Sequence, residues 1–296
     1  MPNNSSFSWP KKILFLFCGM VVALFVVAMA VLLIFGADTK NVNYVIAMSV
    51  AQNLVIFILP VLMLAMLNLK AELKPLSHTL WMTKGPSLKS ILLVVLVWIV
   101  ALPAMNYIVE WNQNIEFPSF LNGLENQLRE METAAAETTG KLLDAKSVGM
   151  MIMMVFVVGV LTGLGEEIFF RSGMLGTMLY GKVNKHIAVW IVAVVFSAFH
   201  LQFFGFVPRL LLGAWLGYLL VWTGEVWTPI IAHALNNGSI VLMIFLANNN
   251  YISDNYIETI GANDHWLALG SAAATVLLLV VFMRKSPKTN NNELMI

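Results

Sequence analysis

Cysteine and charge are what this chain has least of. A single cysteine, Cys18, among 296 residues excludes an intramolecular disulfide and a cysteine-rich metal cage. Only 11% of residues are charged and 59% are hydrophobic, against roughly a quarter charged in an average soluble domain. The formal net charge of +1 offers no basic surface for nucleic acid. No internal repeat or low-complexity tract stands out. With a mean hydropathy of +0.80, the solvent of this chain is largely a lipid bilayer.

What the sequence does have is a series of long apolar runs. A helix crosses a bilayer with about 20 apolar residues. Runs at 13–36, 43–68, 90–109, 148–171, 187–204, 207–222, 227–247 and 266–283 predict an all-α polytopic membrane protein. About eight transmembrane helices are expected, three of them short or interrupted. The first follows Lys11 and Lys12 as a signal peptide would, but its apolar run is too long and lacks a clear cleavage site, so a retained anchor is expected. With the N-terminus inside, twelve of the 17 basic residues fall on the cytoplasmic side and five (Lys40, Arg129, Lys141, Lys146, Arg209) on the other. The positive-inside rule then places both termini in the cytoplasm, with a bacterial inner (plasma) membrane as the expected location.

The longest polar stretch, 111–147, is mostly acidic and extracytoplasmic in this reading. Phe120, Leu121, Leu124, Leu128 and Met131 recur at helical spacing, which predicts an amphipathic helix. A solvated surface helix is the plain expectation for it, and a lid or partner-docking element the sharper one. The chain divides into membrane helices 1–3 (1–110), the acidic loop (111–147), a polar-bearing membrane core (148–247), and a last helix with a disordered cytoplasmic tail (248–296). The tail proper is Ser286–Ile296.

Ionisable residues interrupt the core where lipid should be. A charge at the centre of a membrane helix costs about 2.5–3.5 kcal/mol on insertion scales, so such residues pair, face a cavity or do chemistry. In "GLGEEIFFRSG", Glu167 and Arg171 are four residues apart and stack on one helical face, which accounts for two of the three charges. Glu166 points elsewhere and needs another partner. His200 closes "FSAFH", with Phe196 one turn earlier, and His233 opens "HALNN", with Asn237 one turn later. Counted from a turn at Lys182–Lys185, Glu166 and His200 both lie about 22–24 Å away along antiparallel helices, at about 1.5 Å per residue. His233 agrees in depth if that hairpin projects into the cytoplasm. The segment after His200, "LQFFGFVPR", is too short to reach the far surface. Gly205 and Pro208 therefore predict a turn inside the protein, beside a cavity.

Glu, His, His and Asn in one chamber can hydrolyse a peptide bond in two ways. Glu166 can deprotonate a water held by His200, with His233 and Asn237 donating to the oxyanion. Alternatively, Glu166, His200 and His233 can hold zinc with a water in the fourth position. Spacing does not separate the two, so the cofactor is open: zinc, or a metal-free glutamate mechanism. Asn237, a poor zinc ligand and a good amide donor, favours the first.

The ordered set "EEIFFR", "FSAFH" and "HALNN" matches EExxxR, FxxxH and HxxxN on successive membrane helices. It resembles the CAAX prenyl protease type II family, also called the CPBP or Abi family of intramembrane proteases. The resemblance is carried by residues 148–247. It implies an intramembrane endopeptidase with Glu166 as catalytic carboxylate and His200 as its partner in activating water. His233 and Asn237 would complete the site, and Glu167 and Arg171, with Phe196, would support it. The implied partner is a membrane-associated peptide or protein substrate. Rival readings from the residues are a transporter or proton relay, since intramembrane Glu and His also carry protons, and a non-catalytic immunity or scaffold protein.

Overall fold

The computed structural model describes residues 8–36, 41–72, 76–253 and 259–285. Lys40, Lys74, Lys288 and the expected tail Ser286–Ile296 lie outside the described residues. Among those residues there is no strand. Seven helices are long and apolar enough to cross a membrane, and a shorter apolar helix, Lys185–Phe199, makes eight. The polytopic all-α expectation holds, and the protein is an integral membrane protein.

The membrane helices are α1 (Trp9–Phe35), α2 (Val42–Leu67) and α3 (Leu88–Gln113). The polar helix α4 (Asn122–Leu143) follows. Then come α5 (Val148–Tyr180), α6 (Lys185–Phe199), α7 (Phe206–Thr223), α8 (Trp227–Asn248) and α9 (His265–Lys285). In α1 the buried residues are Leu16, Met20, Ala23, Val27 and Val31, three or four apart. One stripe therefore faces protein, while Val22, Phe25 and Leu33 are exposed as lipid-facing residues should be.

Two aspects of packing position the site. A core of Leu16, Phe57, Phe169, Phe170, Val189 and Phe196 joins α1, α2, α5 and α6. Small residues then let backbones close up. An added Cβ on Gly213 would lie 3.0 Å from Phe196 and one on Gly217 3.1 Å from Val189. The spacing "GAWLG" thus lays α7 directly on α6.

The acidic segment forms the helix expected, with part of the expected apolar face against the protein. Phe120, Leu124 and Met131 are exposed at 82%, 46% and 44%. The half-buried positions are Leu121, Glu125, Leu128, Glu132 and Ala135. Glu132 accepts from the Phe204 backbone N–H (2.8 Å) and the Gln202 amide (3.2 Å), and the Arg129 guanidinium lies 4.1 Å over the Phe204 ring. Most of α4 is exposed, as expected of a solvated helix, and one edge docks. The surface beneath that edge is a polar turn, and carboxylates share it with Leu121 and Leu128.

Candidate functional site

α5 carries the first motif between two stretches, Val155–Leu161 and Ile168–Leu175, where its turns widen to π geometry. Such widenings displace side chains from regular helical faces and free carbonyls for other partners. Between them, glycines press α5 against its neighbours. A Cβ on Gly159 would lie 3.1 Å from Gly238 Cα, and one on Gly163 3.0 Å from Ala234 N, both backbone atoms of α8. One on Gly165 would lie 2.8 Å from Asn53 Oδ1 on α2. The glutamates thus enter the protein at a close helix contact, and both are buried.

Glu167 and Arg171 form the expected pair, 2.9 Å apart with both side chains at 0% exposure. Two charges removed from water need further bonds to be tolerated. Arg171 Nη2 donates to the Gly213 carbonyl at 3.0 Å, and its guanidinium carbon lies 4.7 Å above the Phe196 ring. Glu167 Oε1 also accepts from His233 Nδ1 at 2.7 Å. One carboxylate oxygen therefore anchors a cation and orients an imidazole on another helix. Sequence spacing had indicated only the first of these contacts.

That contact fixes how His233 meets Glu166. A carboxylate accepts, so Nδ1 donates, and in the neutral tautomer this turns the Nε2 lone pair toward Glu166. Nε2 lies 3.8 Å from Glu166 Oε2, too far for a direct hydrogen bond. Glu166 Oε2 is buried with no partner. Two acceptors at this separation suit one shared donor, such as water.

His200 ends α6, and its Nδ1 donates to the Phe196 carbonyl at 2.9 Å, leaving its own Nε2 lone pair free. Its ring packs 5.1 Å from Phe196, and His233 packs 5.8 Å from the same ring. Phe196 therefore sits between both histidines and beneath Arg171. The Phe196 ring thus has His200 of α6 and His233 of α8 against it, and His233 in turn meets Glu166 of α5. The chain then turns inside the protein as expected. Leu201 takes a left-handed φ of 53°, Phe203–Gly205 form a short 3₁₀ turn, and α7 starts at Phe206. Asn112 at the end of α3 braces this turn, donating to Phe203 O and accepting from Val207 N at 2.8 Å.

Asn237 follows His233 by one turn of α8. Its Nδ2 donates to Val158 O at 3.3 Å and its Oδ1 accepts from Asn236 at 3.1 Å. Val158 is in the first widened stretch of α5, where a carbonyl needs an outside donor, so Asn237 ties α8 to α5. Among the described residues, no three His, Cys, Asp or Glu side chains form a group able to hold a metal ion. The zinc set of Glu166, His200 and His233 does not fit this arrangement.

Sequence reasoning missed Asn53, Asn112, Glu132 and Arg209. Asn53 is buried, with its Nδ2 on Ser49 O (2.8 Å) and Thr162 Oγ1 (3.1 Å) of α5 and its Oδ1 without a partner. A polar residue within an apolar run was the available signal for Asn53, the same one that exposed Glu166. His265 opens α9. It is exposed, with its ring 5.2 Å from Tyr107.

Comparison with known proteins bears on the same region. Residues 148–239 match the family model described as Type II CAAX prenyl endopeptidase Rce1-like. The family resemblance carried by the three motifs is borne out over that segment. The chain is also 31% identical over 118 residues to the Bacillus subtilis (strain 168) protein named "Putative membrane peptidase YdiL". That match covers 40% of this chain and 47% of the relative, so the chain spans about half the length of the curated relative it matches. No solved structure matches the chain.

Proposed function

We propose that the protein is an intramembrane endopeptidase of CAAX-protease type that hydrolyses a peptide bond with a water activated by Glu166. The observation that carries this reading is the pair of open acceptors, Glu166 Oε2 and His233 Nε2, buried 3.8 Å apart. A water between them donates one proton to each, which turns its lone pair toward a substrate carbonyl. Glu166 takes the first proton as the water oxygen attacks, and the carbonyl π electrons move onto its oxygen. As the tetrahedral intermediate collapses, Glu166 passes that proton to the leaving amine. Positioned acid–base catalysis of this kind contributes about 10²–10⁴-fold.

The other residues support that cycle. Glu167 holds His233 in the tautomer that accepts from water, and Arg171 holds Glu167 in place through the same carboxylate oxygen. This moves His233 from oxyanion donor to water acceptor. His200, held by the Phe196 carbonyl and packed on the same ring as His233, walls that water in. Asn237 keeps α8 against α5 and retains one amide N–H. No step uses a metal. The substrate is a membrane-associated peptide or protein, met in a bilayer with both termini of the enzyme cytoplasmic.

The test uses purified protein in lipid vesicles with an internally quenched transmembrane peptide library. Cleavage that falls at least about 10²-fold in His233→Ala and His200→Ala, without loss of folding, supports the reading. Retained cleavage in both variants ends it. A Glu166-dependent proton flux with no peptide present would install the transport reading instead.

A further inference from the structure

α8 packs against α5 from Val148 to Glu167 and parts from it over Ile168–Leu175. The gap that opens lies toward the end of α5 remote from α4. It is filled by the segment between α2 and α3. Leu76–Thr79 form one helical turn there. Leu80 and Trp81 follow, each 5% exposed, in the same core as Met174, Val226 and Ile230.

Two consecutive carbonyls hold this wedge. Leu80 O accepts from Ser172 Oγ of α5 at 2.7 Å, and Trp81 O accepts from the backbone N–H of Val226, the N-cap of α8, at 2.9 Å. The donors therefore belong to the two helices that carry Glu166 and His233. Ser172 follows Glu166 by six residues and Val226 precedes His233 by seven, so both lie about 10 Å along their helices from the site. That is the reach of about three extended residues. The wedge is also held at a cost. Trp81 takes a φ of 59°, in the left-handed region that favours glycine. Its Nε1–H is buried with no hydrogen-bond partner, and an unmade bond of this kind is destabilising. The indole lies on Gly176, where a Cβ would fall 2.5 Å from Nε1.

Resting on the endopeptidase reading, we propose that Ser172 Oγ–H and Val226 N–H bind two backbone carbonyls of the substrate peptide, and that Leu80–Trp81 occupies their place until substrate displaces it. An extended peptide turns consecutive carbonyls to opposite sides. It meets donors on both walls of the gap without the left-handed residue that the internal segment needs. From there its next residues lead toward Glu166 and His233. Release relaxes Trp81 and frees Nε1–H to find an acceptor, which offsets part of the burial lost. The closed form is the resting one, so apparent affinity is reduced by the fraction of protein that is open.

Hydrogen exchange on Glu166→Gln in vesicles, with and without the transmembrane peptide that wild type cleaves best, follows the displacement directly. Bound peptide should speed exchange at Trp81 and Met82, whose amides donate to His78 O and Ser77 O within the wedge, and leave Val226 protected. Trp81→Ala, which loosens the wedge, should unfold at lower temperature yet show a KM about 10-fold lower, as expected when an open state of about 10% or less no longer limits binding. Trp81→Phe, which keeps a ring and removes the unpartnered donor, should move both quantities the other way. In the Trp81→Ala background, Ser172→Ala should raise KM several-fold. Exchange at Trp81 and Met82 that bound peptide does not change overturns the proposal. So does a KM that rises as Trp81→Ala loses stability, or one that Ser172→Ala leaves alone. If wild type cleaves no peptide, the endopeptidase reading fails, and exchange with the tightest-binding transmembrane peptide still decides the wedge.

Discussion

Replacing Gly163 with alanine should disable the site from a position that carries no chemistry. The new Cβ would meet Ala234 N at 3.0 Å, Ile230 O at 3.2 Å and Ala234 Cα at 3.4 Å. Ordinary carbon contacts are about 3.5–4.0 Å, and these neighbours are backbone atoms that cannot rotate away. α5 and α8 must therefore part by about 0.5 Å at this level, and His233 is the residue next to Ala234. The 2.7 Å bond from His233 to Glu167 would stretch beyond about 3.1 Å, where a charge-assisted hydrogen bond has lost much of its strength. Overpacking costs about 1–3 kcal/mol, and alanine's better helix propensity returns about 0.8–1.0 kcal/mol. Stability should thus change modestly, while a misplacement approaching 1 Å costs roughly 10²-fold in rate. Thermal unfolding in detergent and peptide cleavage in vesicles measure the two effects. Gly270→Ala on α9, whose Cβ would meet nothing within 4 Å, is the control and should be neutral or stabilising. Wild-type turnover in Gly163→Ala would refute the claim that this contact sets the geometry.

Three further outcomes follow from the same contacts. Glu167→Gln leaves Arg171 charged at 0% exposure and should cost about 3–5 kcal/mol in chemical denaturation, whereas pairing it with Arg171→Met should restore much of that. Glu125, on α4, has its carboxyl held below its ordinary value of 4.5 by the Phe117 backbone N–H and Arg129. A depressed pKa stabilises the ionised, docked form above the ordinary value and loses that effect as pH falls through the lowered one. The protection factor of the Phe117 amide should therefore hold at pH 5 and fall only once the pH is below the ordinary carboxyl value. Strong chelators should leave cleavage unchanged in protein shown by elemental analysis to be metal-free. The Glu167–His233 contact is also of the kind that orients a metal ligand, so activity lost to chelation and restored by zinc would reassign Glu166, His200 and His233 as ligands.

The membrane helices were legible because an apolar run of bilayer length is stable as little else than a spanning helix. The turn after His200 was legible for a related reason: Gly205 and Pro208 interrupt a run too short to cross. Glu167–Arg171 followed from helical periodicity alone. The double use of Glu167 did not, since it depends on where α8 lies, and that is set by Gly159 and Gly163 meeting Gly238 and Ala234 across 71 or more residues of chain. The widened turns of α5 leave no trace in hydropathy. The docked edge of α4 was legible only at Leu121 and Leu128, because apolar periodicity locates a face that avoids water. Here the partner is a turn with a backbone N–H to satisfy, and Glu132 answers it.

The rate of peptide hydrolysis by Glu166→Gln, in vesicles matched to wild type for folding and peptide binding, is the decisive quantity. Glutamine keeps the shape of the side chain and removes its capacity to take a proton from water. The account predicts turnover lower by at least about 10²-fold, with binding of the uncleaved peptide preserved. Turnover within a few-fold of wild type would contradict it.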